Sequence, residues 1–267
     1  MLYERKNYTA NISYLTNVYI TEYDLSKANI NVLKWKGLLS DATYEYLYNA
    51  ERMVRQVYVG KLERDPNVAK ALSDGIIEAK KMLFESNGLE DRDILSIKND
   101  AVYVISKRLR ETKFGLLHFM EKNTYTSFYR IMNLEFYYYY NSINGEEQLD
   151  VKGISDEKLV LHRDGMLGLI GDLFYMLQTQ GVEVAMRMLR DSYMDYVELR
   201  LPVEYYRNFD TVSDFKYNIT STMTGMRFAI ANASGDIDKR FIDISYNAMI
   251  LAQFQKIIAS MYFTKNR

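Results

Sequence analysis

The 267-residue chain contains no cysteine and only two histidines, His118 and His162. Without cysteine there is no disulfide and no thiolate metal site. Two histidines argue against a zinc site and against a serine–histidine hydrolase. Any metal chemistry must therefore depend on carboxylates, which suit hard ions such as Mg²⁺ or Mn²⁺.

Proline is also scarce, with two residues, and no Gly/Ser-rich linker marks a domain boundary. Hydrophobic residues make up 48% of the chain and charged residues 26%, which is ordinary for a globular protein with a real core. No apolar run approaches the roughly 18 residues that span a bilayer, and the first residues lack the apolar stretch of a secretory signal. We therefore expect no membrane partner and a cytoplasmic location.

The formal net charge is −1, so the overall positive charge typical of nucleic-acid-binding proteins is absent. Local clusters could still supply it. The densest contains Lys107, Arg108, Arg110 and Lys113. Such a cluster can bind a phosphate backbone through counterion release, or it can be a solvated loop, and the sequence favours both equally. The 24 tyrosines, with many Asn, Ile and Lys residues, resemble proteins from AT-rich genomes, phage genomes included.

The hydrophobic pattern predicts an α+β protein. Residues 17–24 carry β-branched and aromatic side chains, typical of a buried strand, and end at Asp24. Residues 94–97 and 101–105 predict a β-hairpin with Asp100 in its polar tip. The helices expected between these strands cover residues 25–35, 42–60 and 68–85, the last of them ending at an Asn-Gly pair.

Further strands are expected after the hairpin, and helices dominate from residue 162 onward. The strand segments are residues 113–120, 124–140 and 149–153, and the helical segments are residues 166–180, 182–196, 202–209 and 242–263. This order predicts an antiparallel sheet backed by helices, followed by a mainly helical region.

Asp24 and Asp100 are the acidic residues with the clearest chemical meaning. One ends a predicted strand and the other lies at a hairpin tip. If the two strands are neighbours, the carboxylates meet at one edge of the sheet. Such a pair could bind two divalent cations roughly 3.5–4 Å apart, the arrangement used in phosphoryl transfer. An acidic residue at a strand end or turn is also common for purely structural reasons.

The sequences around both acids resemble motifs of family B DNA polymerases, in that family's order. Residues 24–31 look like the first palm motif, Asp-x-x-Ser-Leu-Tyr-Pro-Ser. Residues 97–104 look like the third, Tyr-Gly-Asp-Thr-Asp-Ser followed by an apolar strand. Between them, Arg52, Arg55 and Tyr58 resemble the fingers motif Lys-x-x-x-Asn-Ser-x-Tyr-Gly, with arginine in place of lysine.

The resemblance continues beyond the hairpin and covers roughly residues 17–165. Lys122 and Tyr125 are similar to the Lys-Lys-x-Tyr element that holds the primer–template backbone. Residues 150–154, together with Arg163, resemble the Lys-Gly-hydrophobic…Arg-Arg-Asp run that leads into the thumb.

The resemblance implies a polymerase-type palm with reduced fingers over residues 1–165 and a helical thumb-like region over residues 166–267. It implies that Asp24 and Asp100 are catalytic and bind Mg²⁺ or Mn²⁺, and that the partner is a DNA primer–template, with RNA also possible. The implied nucleotide-binding residues are Arg52, Arg55 and Tyr58, and the implied or basic nucleic-acid-binding residues are Lys107, Arg108, Arg110, Lys122, Tyr125, Lys152 and Arg163.

Several positions depart from the family pattern. Lys98 stands where the hairpin has its first aspartate, and a lysine beside a metal site repels the metal unless it points away. The tyrosine that gates the sugar 2′ position in the family's first motif is replaced in this chain near Asn29, which affects the choice of deoxynucleotides. The segment from Asp24 to Arg52 leaves room for only a stub of fingers, and no exonuclease domain fits before residue 17. We therefore expect a protein partner that supplies the missing parts.

Three functional hypotheses remain open. The first is a nucleotidyltransferase subunit of a split or multi-subunit phage or mobile-element machine. The second is a degenerate palm that acts as a nucleic-acid-binding or assembly subunit of a replication or transcription complex; Lys98 and the short fingers favour it. The third is an unrelated phage or mobile-element protein that binds other proteins. If the chain is phage-encoded, its location would be the host cytoplasm.

Overall fold

The computed structural model describes residues 1–131, 134–154, 159–160, 163–198, 200–202, 205 and 239–265. The chain divides into two compact units. Unit 1 comprises Met1–Ile12 and Asn17–Thr126, and unit 2 comprises Ser13–Thr16 and Ser127–Arg267. Each unit has strands, helices and a hydrophobic core formed by its own residues.

Unit 1 contains sheet strands that lie in the order first, third, fourth, second, sixth. These are β1 (Asn7–Thr9), β3 (Ile94–Lys98), β4 (Ala101–Ile105), β2 (Tyr14–Leu25) and β6 (Leu117–Ile131), with the short β5 (Lys113–Phe114) paired to β6. The hairpin of β3 and β4 is antiparallel, and β4 pairs antiparallel with β2. The strand predicted over residues 17–24 and the hairpin are therefore confirmed.

Four helices of unit 1 follow β2 and precede the hairpin: α1 (Ala28–Trp35), α2 (Asp41–Asn49), α3 (Arg52–Leu62) and α4 (Pro66–Asn87). The start of α4 is capped by the Asp65 side chain, which accepts a hydrogen bond from the backbone nitrogen of Asn67. Its end is Gly88, in the left-handed conformation with φ 54°. The predicted Asn-Gly stop is confirmed, and the helix is longer than the predicted 68–85.

The prediction of a single helix over residues 42–60 is wrong, because this segment forms two helices, α2 and α3. Ala50 and Glu51 are extended, with ψ of 159° and 154°. Nη1 of Arg55 donates a hydrogen bond to the Ala50 carbonyl at 2.6 Å. A side chain thus satisfies a carbonyl that a continuous helix would pair with its own backbone. The break therefore needs neither glycine nor proline.

The core of unit 1 is mainly aliphatic and joins strand residues to helix residues. Val32 and Leu33 of α1 belong to the same buried cluster as Ile97 and Val102 of the hairpin. Gly75 lets α4 approach α1 closely, because a Cβ at this position would lie 2.3 Å from Cγ1 of Val32. This packing holds α1, which begins four residues after Asp24, close to the hairpin strands.

The described part of unit 2 contains the ends of β2 and β6, further strands and several helices. The strands are β7 (Leu134–Tyr140) and β8 (Glu147–Lys152), and the helices are α5 (Met166–Thr179), α6 (Val182–Val197) and α7 (Lys239–Lys265). β6 pairs antiparallel with β7, and β7 with β8. The core is aromatic: the ring of Phe174 stacks on Tyr129 with centroids 4.3 Å apart and lies 5.2 Å from the ring of Phe254.

The α+β fold class, with an antiparallel sheet, helices and a helical C-terminal region, is confirmed. The helices predicted over residues 166–180, 182–196 and 242–263 are present as α5, α6 and α7. Most of the helix predicted over residues 202–209, and His162, lie outside the described residues. The division at residue 165 into a palm and a thumb-like region stays a prediction. In the part of the chain that the structure describes, no helix has the length and apolar character needed to cross a bilayer.

Candidate two-carboxylate site

Asp24 and Asp100 come together in unit 1, although they are far apart in the sequence. In the register of β2 and β4, Asp24 lies opposite Ala101, the residue that follows Asp100. The backbone nitrogen of Leu25 also donates a hydrogen bond to the carbonyl of Asp100 at 3.3 Å. The strand neighbourhood on which the sequence argument depends is therefore present.

The hairpin tip places Asp100 by a tight turn. Asn99 adopts the left-handed conformation, with φ 60°, and asparagine is one of the few residues that do so at low cost. Its backbone nitrogen donates to the carbonyl of Lys6 at 2.7 Å. Nζ of Lys98 donates to Oγ1 of Thr9 at 3.0 Å, on β1, which pairs with β3 on the side away from β4. Lys98 thus extends away from the carboxylate pair.

The two carboxylates influence each other electrostatically. Burial raises the pKa of the Asp100 carboxyl above its usual value, and the negative charge of Asp24 raises this pKa further. Lys122 and Lys80 oppose the rise, because positive charge favours the ionised carboxylate. Partly uncompensated negative charge of this kind attracts a cation.

Lys80 approaches the site from the buried side. It lies on α4, its side chain is 1% exposed, and Nζ donates to the carbonyl of Arg5 at 2.6 Å. Burial lowers the pKa of Lys80 to about 8, while the charge of Asp100 favours its protonated form. Nothing in the sequence predicts a site role for Lys80, because a lysine on a helix is usually solvent-exposed.

Lys122 approaches the site from the solvent side, on β6. Its Nζ lies 3.6 Å from Oδ2 of Asp24 and 3.8 Å from Oε1 of Glu22. Glu22 is 2% exposed, and its Oε2 accepts hydrogen bonds from Nδ2 of Asn123 at 2.8 Å and from the hydroxyl of Tyr125 at 3.3 Å. Glu22 was also missed, although it precedes Asp24 by two residues and so faces the same side of the strand.

A cavity of about 260 Å³ lies beside the carboxylates. Its charged lining comprises Asp24, Asp100, Lys27, Arg52, Arg55 and Lys122. The two arginines share one face of α3, because residues three apart in a helix are neighbours on its surface. The cavity lining therefore carries four positive side chains and two negative ones, a balance that suits an anionic ligand accompanied by a cation.

Lys27 belongs to this lining through an unusual backbone conformation. It precedes α1 with φ 44°, and its Nζ donates to the carbonyl of Tyr48 at 2.7 Å. The same ammonium group lies 3.3 Å from the centroid of the Tyr48 ring, a cation–π contact. Lys27 is not among the site residues predicted from the sequence.

Two predicted binding residues lie elsewhere. Tyr58 is partly buried against the core of unit 1 and is outside the cavity lining. Tyr125 is 0% exposed, and its hydroxyl binds Glu22. The side chain of Tyr125 therefore has no surface to offer a nucleic-acid backbone, and in this structure it positions Glu22 instead.

The basic cluster after the hairpin lies on the surface of unit 1. Nζ of Lys107 donates to the carbonyl of Gly88 at 2.8 Å and to Oδ2 of Asp93 at 3.3 Å, so it ties the loop to the end of α4. The side chain of Arg108 is 87% exposed, with Nε 3.9 Å from a Glu121 carboxylate oxygen. Arg110 is also exposed. These arginines are accessible to a phosphate backbone.

The two remaining predicted nucleic-acid-binding residues belong to unit 2. Lys152 lies on β8, opposite Glu135 of β7. Arg163 lines a second cavity, of about 350 Å³, together with Glu147 and Asp172. Their predicted role in binding nucleic acid stays a prediction.

The donor set of the site suits a hard divalent cation under one condition. In the described part of the chain, no group of three or more His, Cys, Asp or Glu side chains is placed to hold a metal ion. Asp24 and Asp100 alone leave most of an octahedral shell to other oxygens. Mg²⁺ sites are commonly completed in this way by water and substrate phosphates, and the cationic cavity next to the pair favours phosphates. The residues therefore fit Mg²⁺ or Mn²⁺ bound together with an anionic ligand.

Comparison with protein families shows which family the chain belongs to. The model of the bacteriophage PBS1 gene 130 protein family matches residues 1–260. The chain belongs to this family. The match spans the whole of unit 1 and most of unit 2 of the gene 130 family protein, and it confirms the phage association expected from the composition. No curated protein matches the chain. The polymerase resemblance stays a prediction.

Proposed function

We propose that this phage protein is a palm-type subunit that performs or supports metal-dependent nucleotidyl transfer on a primer–template. One observation carries the proposal. Neighbouring strands bring Asp24 and Asp100 together beside a cavity lined with arginine and lysine side chains. Carboxylates that bind a divalent cation and cations that bind phosphate are the two requirements of phosphoryl transfer. The site of action would be the host cytoplasm.

The residues of the cavity divide this work. Asp24 and Asp100 would hold Mg²⁺ or Mn²⁺, which supplies charge stabilisation for the reacting phosphate. Arg52 and Arg55 would bind and orient the triphosphate, because the planar guanidinium group matches phosphate oxygens with two parallel hydrogen bonds. Arg55 already uses Nη1 to bind the Ala50 carbonyl, which limits its reach and leaves Arg52, fully on the exposed side of α3, as the principal anion-binding residue.

The exposed arginines Arg108 and Arg110 would contact the nucleic-acid backbone. The proposed template is DNA, and RNA has the same backbone charge. Because α2 and α3 are short, a second polypeptide would supply the remaining fingers or an exonuclease. This partner is part of the proposal.

The test is extension of a labelled primer in the presence of Mg²⁺ or Mn²⁺. Asp24→Asn and Asp100→Asn keep side-chain shape and remove charge, and we expect both to abolish extension while the circular dichroism spectrum is unchanged. Asp74→Asn is the matched control, because Asp74 is exposed on α4 and outside the cavity lining. Equal extension by all three variants would refute the assignment of the carboxylates.

A degenerate palm is the second candidate, and the position of Lys122 favours it. This lysine already compensates the charge of Asp24, as a protein without bound metal would require. In that case the protein binds DNA in a salt-sensitive way without extending a primer. Asp24→Asn then leaves DNA affinity unchanged in a filter-binding or fluorescence-anisotropy titration, whereas a catalytic palm loses extension in the same variant.

A further inference from the structure

We propose that Lys122 competes with a divalent cation for Asp24, so that the carboxylate site binds metal only when this lysine side chain moves away. The inference rests on the proposed function, because it concerns regulation of the same site. It gives Lys122 a role different from the duplex contact that the sequence predicts.

The distances indicate competition for shared oxygens. Nζ of Lys122 lies 3.6 Å from Asp24 and 3.8 Å from Glu22, longer than the roughly 2.7–2.9 Å of a charge-assisted hydrogen bond. The ammonium group is thus held between two carboxylates mainly by charge. A divalent cation on Asp24 would place two units of positive charge within a few ångströms of this ammonium group, and the repulsion would expel one of them.

The surroundings show which partner moves. The Glu22 side chain is 3% exposed and is fixed by Asn123 and Tyr125. The Lys122 side chain is 54% exposed and has a flexible four-carbon stem, so it can turn to solvent or to an anion in the cavity it lines. Glu22 is therefore the fixed partner of this ion pair, and the lysine is the displaceable one.

Lys80 cannot take the same role. Its Nζ is bound to the carbonyl of Arg5, and the side chain is almost completely buried. It faces Asp100 from the interior of the unit, where a cation arriving from solvent does not enter. Of these two lysines, only Lys122 stands between solvent and the carboxylates.

The experiment measures Mn²⁺ binding to the full chain by electron paramagnetic resonance of the free ion, at low ionic strength. Lys122→Met keeps the length of the stem and removes the charge, and Lys122→Gln is a second, polar variant. We expect both to bind Mn²⁺ at least about tenfold more tightly than the native chain, since a positive charge roughly 4 Å from the ion is removed. Lys113→Met is the matched control, because Lys113 is exposed on β5 in the same unit and changes the net charge equally.

Three results would overturn the inference, and they separate it from the proposed function. If Lys122→Met binds Mn²⁺ with native affinity while Asp24→Asn abolishes binding, the lysine does not compete and the metal site stands. If Lys122→Met and Lys113→Met gain equally, the effect is general electrostatics. If neither the native chain nor either Lys122 variant binds Mn²⁺, both the competition and the metal-dependent function fail. The double variant Asp24→Asn/Lys122→Met should lose the gain.

Discussion

Unit 1 and unit 2 achieve burial in different ways. Unit 1 encloses charges of both signs, because Glu22 and Lys80 are almost fully buried, whereas the buried Glu135 of unit 2 accepts a hydrogen bond from the Tyr137 hydroxyl at 2.9 Å. The core of unit 2 is built around stacked and edge-to-face aromatic rings. Buried charges are costly unless they are paired, and proteins retain them mainly where a function requires them. Under the proposed function, the chemistry lies in unit 1, and the aromatic core of unit 2 has a stabilising role.

The largest expected effect is in that aromatic core. Phe174→Ala removes a side chain that is 0% exposed and contacts the rings of Tyr129, Phe136 and Phe254. We expect the free energy of unfolding to fall by roughly 3–5 kcal/mol, the usual cost of truncating a buried phenylalanine. Urea denaturation followed by circular dichroism measures it.

An exposed phenylalanine provides the control for Phe174→Ala. Phe263→Ala truncates a phenylalanine that is 64% exposed on α7 and should change stability by less than about 0.5 kcal/mol. Trp35, the one tryptophan of the sequence, lies in unit 1, so its fluorescence reports on that unit. If Mn²⁺ binding at the carboxylates is lost in folded Phe174→Ala, the assignment of separate roles to the units is refuted.

The sequence predicted the elements around the carboxylates because each has a local signal. The strand before Asp24 is β-branched and aromatic, the hairpin has a polar tip, and α4 ends at an Asn-Gly pair. Because few predicted strands end in an acidic residue, the sequence leaves few positions for a carboxylate metal site. The break between α2 and α3 had no such signal, because it depends on a single side-chain hydrogen bond to the Ala50 carbonyl.

The surroundings of the carboxylates could not be predicted in the same way. Alternation along a strand indicates on which face of the sheet a side chain such as Lys122 or Asp24 lies. It does not show that β6 lies beside β2. That neighbourhood turns Lys122 toward Asp24 and buries Tyr125 against Glu22. Lys80 was missed for a related reason: burial of a helical lysine depends on what packs over it, here the N-terminal segment that contains Arg5.

The second effect, of intermediate size, tests the buried charge of unit 1. Burial lowers the pKa of Lys80 to about 8 in the folded chain, below the 10.5 of a solvent-exposed lysine. Between these values the unfolded chain binds more protons than the folded chain, so stability rises with pH, by roughly 2 kcal/mol from pH 8 to pH 10. The rise ends there, because the buried Tyr129 and Tyr138 have raised pKa values and stability falls with pH once unfolded tyrosines ionise.

Lys80→Met should flatten this rise, because methionine fills a similar volume without a titrating group. The measurement is urea denaturation at several pH values between 7 and 10. Lys81→Met is the control. Lys81 is the neighbour of Lys80 on α4, but it is half exposed and pairs with Glu85, so the pH dependence of stability should remain native in this variant. A native slope in Lys80→Met would show that the buried lysine does not titrate in this range.

The smallest effect on stability concerns surface charge and compares the two units as nucleic-acid-binding surfaces. Arg108→Ala removes an exposed guanidinium with a 3.9 Å ion pair, so stability should change by less than about 0.5 kcal/mol. For a DNA duplex, the slope of log affinity against log salt should become shallower by about 1, the value for one lost phosphate contact. Lys152→Ala in unit 2 should leave the slope nearly unchanged. Its strand β8 also carries the negatively charged Glu147 and Asp150, which repel phosphate. Fluorescence anisotropy at four salt concentrations measures both slopes. A larger change of slope for Lys152→Ala than for Arg108→Ala would show that the nucleic-acid-binding surface belongs to unit 2 and not to unit 1.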